Sequence, residues 1–124
     1  MIPDDIRRFI VQCIPSVPFL EALLLLRENP HQAWDAAALA QRLYLDAATA
    51  ERLLAELTSA GLAAQRDGQG HGYAPRAPEL AARVDELADV YRRHLVEVST
   101  LIHRKSNRKA QAFAEAFVWR NKES

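Results

Sequence analysis

Between Trp34 and Tyr73 the chain reads WDAAALAQRLYLDAATAERLLAELTSAGLAAQRDGQGHGY, and few folds accommodate that order of signals. Asp35 stands where a carboxylate can cap a helix over Ala36 to Leu43. Tyr44 and Leu45 make a turn, and Asp46 caps a second helix whose Ala50, Leu53, Leu54 and Leu57 share one inward face. Gly61 supplies a left-handed stop. Leu62 to Arg66 can then pair with His71 to Ala74 across Asp67-Gly68-Gln69-Gly70, because glycine accepts the positive φ of a tight hairpin. The predicted order is helix, turn, helix, hairpin.

The flanks add helices on both sides. Ile6, Phe9, Ile10, Cys13 and Ile14 recur at spacings of three and four within Pro3 to Ile14, with Asp4 and Asp5 at the helix start, which predicts an amphipathic helix with Cys13 buried on its stripe. Ser16 can cap a second helix, apolar nearly all round through Phe19, Leu20, Leu23, Leu24 and Leu26, and ended by Asn29-Pro30. Trp34 is expected to plug the core beside a short first strand. After Pro75, Pro78 opens a helix of more than twenty residues in which Leu80, Val84, Leu87, Tyr91, Leu95, Val98 and Ile102 follow a seven-residue rhythm. That seam demands an apolar partner, and a second copy through Leu87, Tyr91, Leu95, Val98 and Ile102 is the expected one. The polar run 103–109 predicts a bend near Ser106 or Asn107. Ala110, Phe113, Ala114 and Phe117 form a further stripe.

Length and charge bound the function. A chain of 124 residues is about one domain, divided here into N-terminal helices over 1–30, a central unit over 31–76 and a C-terminal helical region over 77–124. Sixteen Lys and Arg balance sixteen Asp and Glu, so an attraction to polyanions must come from a local patch. Arg104, Lys105, Arg108 and Lys109 form the densest one, with no acid among them. The lone cysteine, the acidic start and an apolar run far shorter than the roughly 20 residues of a bilayer span point to a cytoplasmic protein. The histidines at 31, 71, 94 and 103 share no metal-ligand spacing, so neither metal nor cofactor is expected. With no nucleophile and base in a plausible cleft, an enzyme is not expected either.

The Trp34 to Tyr73 stretch and the helix after Pro78 resemble the bacterial winged helix-turn-helix regulators of the MarR and PadR type, over about two thirds of the chain by pattern. The resemblance implies a mainly α fold with a small β-hairpin wing, a recognition helix over Asp46 to Ala60 that enters the major groove, a wing over Arg66 to Gly72 on the flanking phosphates, and a homodimer on double-stranded DNA. Carried onto this sequence, Ala48, Thr49 and Arg52 would face the bases, and Arg66 and His71 the phosphates. Glu51 and Glu56 carry the wrong sign for a phosphate-lined groove. They motivate a rival, a winged-helix module that docks a protein partner through this helix or through the Arg104 to Phe117 tail. A membrane-surface tether through Phe113, Phe117, Val118 and Trp119 is the weakest alternative.

Overall fold

The computed structural model describes residues 1–108, which form six helices and one two-stranded antiparallel sheet. Helix α1 spans Asp4–Cys13 and α2 spans Val17–Glu28. The Ser16 hydroxyl accepts from the Phe19 amide at 3.2 Å, and Asn29 closes the other end by donating its side-chain amide to the Leu25 carbonyl at 3.0 Å. With Phe19, Leu20, Ala22, Leu23, Leu25 and Leu26 all buried, α2 is the central helix, as its all-round apolar sequence requires. On α1 the inward residues are Ile6, Phe9 and Ile10, followed by Ile14 just past its end. Cys13, expected on that stripe, is exposed: the helix ends there, and Ile14 takes the inward place.

Helices α3 (Ala36–Leu43) and α4 (Ala47–Ser59) are each started by an aspartate. Asp35 accepts from the Ala38 amide at 2.8 Å and Asp46 from the Thr49 amide at 2.6 Å. The two helices pack on each other and, through Ala50, Leu53, Leu54 and Leu57, on the core. Gly61 follows α4 at φ 76°. Strand β1 (Ala63–Gln65) then pairs with β2 (His71–Tyr73) in the register Ala63 to Tyr73, Ala64 to Gly72 and Gln65 to His71. A third edge comes from Trp34. Its amide donates to the His71 carbonyl at 2.7 Å and the His71 amide returns a bond at 2.8 Å, so the connection before α3 is stitched to the hairpin. The Trp34 ring is buried, its indole N–H without an acceptor among the described residues.

Helix α5 spans Pro78–Arg93 and is joined to the N-terminal helices by two ion pairs, Arg83 to Asp5 at 2.7 Å and Arg27 to Asp85 at 2.8 Å. The expected single long helix breaks at His94, not near 106. His94 adopts φ −132°, ψ 47°, and a new helix, α6, runs over 95–108 straight through the polar stretch expected to bend. The break has no proline or glycine. The Val98 amide still donates to the His94 carbonyl at 3.0 Å, and the His94 ring meets the Glu97 carboxylate at 3.1 Å, which closes the first turn of α6.

This break also redirects the seam. Leu87, Val98 and Ile102 are fully buried within the chain itself, Tyr91 is half-buried, and Leu95 is turned outward at 53% exposure. Three of the five residues expected at an intermolecular seam are therefore covered within the chain itself. Helix α6 is held against α1 by Lys105 donating to the Ile10 and Ile14 carbonyls at 3.3 and 3.0 Å, and by Ser106 donating to the Pro15 carbonyl at 3.2 Å. Among the described residues no single helix is long and apolar enough to cross a membrane. The Ala110 to Phe117 stripe lies outside the described residues.

Candidate nucleic-acid interface

Helix α4 presents Ala47, Ala48, Glu51, Arg52, Ala55, Thr58 and Ser59 to solvent. Its N-terminal end is built around Asp46, whose carboxylate lies below its ordinary pKa because it accepts from the Thr49 side chain and backbone, with the Arg52 charge adding to the effect. A depressed carboxylate stabilises the fold above its unfolded pKa and loses that contribution as pH falls through the folded value. The cap is therefore intact at neutral pH and released only in acid. Thr49 is half-buried, and its hydroxyl is occupied by that cap, so the structure makes it a positioning group for the helix start. Arg52 is 69% exposed and pairs with Glu56 at 3.3 Å, one turn along, an arrangement that neutralises it locally but holds it weakly in water. Ala48 is exposed and offers a methyl group to a partner.

The hairpin flank departs from the sequence expectation. Arg66 does not point outward. Its guanidinium folds back across Gly72 and donates to the Pro30 carbonyl at 2.9 Å and the Tyr73 carbonyl at 3.0 Å, bonding the hairpin to the end of α2. A phosphate would have to compete with both carbonyls. The space over Gly72 exists because that residue has no Cβ; one built there would meet the Arg66 guanidinium. His71 is half-buried, with its backbone committed to the Trp34 bridge. We expect Arg66→Ala to lower stability by about 1–2 kcal/mol, since two charge-assisted bonds to carbonyls disappear. Urea denaturation would show it as a lower midpoint with unchanged slope.

The opposite flank is better supplied. Arg104 and Arg108 on α6 are exposed and make no ion pair among the described residues. Lys105 is turned onto the C-terminal carbonyls of α1, where a cation complements the helix dipole. Lys109 lies outside the described residues. Lys105 and Arg52 line one groove of about 520 Å³ together with Cys13, Phe19 and Ala55, so Lys105 borders the exposed face of α4. The structure thus brings Lys105 and Arg52 to one groove, places Arg104 beside Ile2, Arg7 and Leu101 instead, and bonds Arg66 to carbonyls of its own chain.

Two residues escaped the sequence reading. Tyr44, in the turn between α3 and α4, is 95% exposed with a left-handed backbone (φ 57°, ψ 47°). Arg42, two residues earlier, is exposed and has no hydrogen bond or ion pair among the described residues. Tyr44 is legible in sequence only as a turn residue, and nothing in the local pattern marks its side chain as unburied. A second groove, about 630 Å³, runs between α2, α3 and α5 over Leu24, Leu43 and Tyr91. Its rim charges Arg27 with Asp85 and Arg92 with Asp89 are already paired. No family model, curated protein or solved structure matches the chain.

Proposed function

We propose that this protein is a DNA-binding transcriptional regulator of the winged helix-turn-helix type, cytoplasmic and acting as a homodimer. In this reading α3 and α4 form the helix-turn-helix, α4 is the recognition helix and the β1–β2 hairpin is the wing. The observation that carries it is the junction of three parts: two helices joined by a tight turn, a capped α4 with one face exposed, and a hairpin bonded through Trp34 to the segment before α3. A helix so mounted can enter a major groove while its neighbour crosses the backbone. Phosphate binding falls to the exposed Arg104 and Arg108 of α6, with Arg52 on the exposed face of α4. Because Leu87, Val98 and Ile102 are used inside the chain, a second copy would meet the outward Leu95 and Val96 at the start of α6.

The test is fluorescence anisotropy with random-sequence duplex DNA at two salt concentrations, with the mass in solution measured alongside. Expected is salt-sensitive binding by a dimer. Arg52→Ala with Arg108→Ala should weaken binding for every sequence and lower the salt slope by about one for each phosphate no longer neutralised. No binding even at low salt would overturn the reading. One observation favours the alternative of a protein-docking module: three of the seven exposed residues of α4 are alanines, with Glu51 unpaired among the described residues and Arg52 neutralised by Glu56. A partner retained at high salt and released by Glu51→Lys would support it.

A further inference from the structure

We infer that Tyr44 is a DNA-backbone anchor, its hydroxyl placed to donate to a phosphate oxygen at the edge of the groove that α4 enters; this rests on the reading of α4 as a recognition helix. The turn between α3 and α4 needs a left-handed residue. The amides of Tyr44 and of Leu45 both donate to the Ala40 carbonyl, a closure that requires positive φ at Tyr44. Glycine or asparagine meets that requirement with least strain, yet this position holds a bulky aromatic. Tyr44 and Asp67 are the non-glycine residues with positive φ among the described ones, and Asp67 sits at the hairpin tip, where a short polar side chain is ordinary.

The strain is not offset by packing. The Tyr44 side chain is almost wholly in solvent, and its hydroxyl has no partner among the described residues. A strained backbone carrying an unburied aromatic is better explained by contact with something outside the fold than by the fold's own stability. Its location selects the partner. Tyr44 lies two residues before the N-cap of α4, the end of such a helix that goes deepest into a major groove, and tyrosine hydroxyls are among the groups that hold phosphates in register. The exposed methyl groups of Ala47 and Ala48 beside it leave room for a nucleic-acid backbone to approach.

Three variants of the full chain, Tyr44→Gly, Tyr44→Asn and Tyr44→Phe, test this with labelled random-sequence duplex and with thermal unfolding. Tyr44→Gly is expected to raise Tm by about 4 °C while weakening DNA binding about tenfold. Tyr44→Asn, which keeps the left-handed turn without the ring, should weaken binding as much, and Tyr44→Phe, which removes only the hydroxyl, should show most of that loss; wild-type affinity in Tyr44→Phe would overturn the hydroxyl contact. Wild-type binding with unchanged affinity in all three variants would overturn the anchor and leave the DNA reading standing. Absence of wild-type binding would overturn both, and salt-insensitive loss of a protein partner in Tyr44→Gly would assign the residue to a protein interface instead.

Discussion

Gly70→Ala is expected to destabilise the protein by about 2–4 kcal/mol, a fall in Tm on the order of 10 °C, because two separate demands meet at this residue. Its φ of 118° lies where L side chains are strained. Beyond that, a Cβ there would collide with the Trp34 carbonyl and with the Asp35 amide nitrogen. Those atoms are backbone, so no rotamer change relieves the clash. The bridge would have to open, and with it the two bonds between Trp34 and His71 and the approach of Asp35 to its helix. Gly68 provides the control. It has a comparable need for positive φ, at 74°, but nothing lies within 4 Å of where its Cβ would stand, so Gly68→Ala should cost only about 1 kcal/mol from backbone strain. Thermal unfolding of the two variants side by side separates collision from strain: equal losses would mean that the close approach of Gly70 to Trp34 contributes nothing.

The contrast between what the sequence discloses and what it hides follows the range of the interactions involved. Ser16, Asp35 and Asp46 cap their helices as expected, because a capping side chain reaches only three residues along its own chain. The hairpin is equally local, since its turn is set by glycines close together in the chain. Arg66 reads as a free charge in sequence because its acceptor at Pro30 is thirty-six residues away, and a guanidinium counts as available until its acceptors are known. Cys13 differs from expectation by one helical position: a stripe with spacings of three and four admits both Cys13 and Ile14, and only the end of α1 chooses between them. The break at His94 lacks both residues that usually announce one. Tyr44 shows the same limit from the other side, since the sequence marks the turn but does not show that a residue so apolar in its ring is left in water.

Ile102→Ala is the second large effect, expected to cost the folded monomer about 2–4 kcal/mol while leaving any monomer–dimer balance seen by sedimentation unchanged. The heptad rhythm of Leu87, Tyr91, Leu95, Val98 and Ile102 states that an apolar surface must be covered, but it is silent on whether the cover is another chain. In the structure the cover is internal. Ile102 is fully buried, and the next turn of α6 is bonded to the carbonyls of Ile10, Ile14 and Pro15. Truncating the fully buried side chain leaves a void in the core, so the cost should exceed bare transfer of the missing methylenes. Leu95→Ala, on the outward side of the break, should stay within about 0.5 kcal/mol for the isolated chain. If copies associate through Leu95 and Val96, that variant should instead shift the monomer–dimer balance seen by sedimentation while leaving the unfolding of the monomer unchanged. A shift of that balance towards monomer in Ile102→Ala would return the seam to an interface between chains, and α6 would then belong to the dimer instead of to the core.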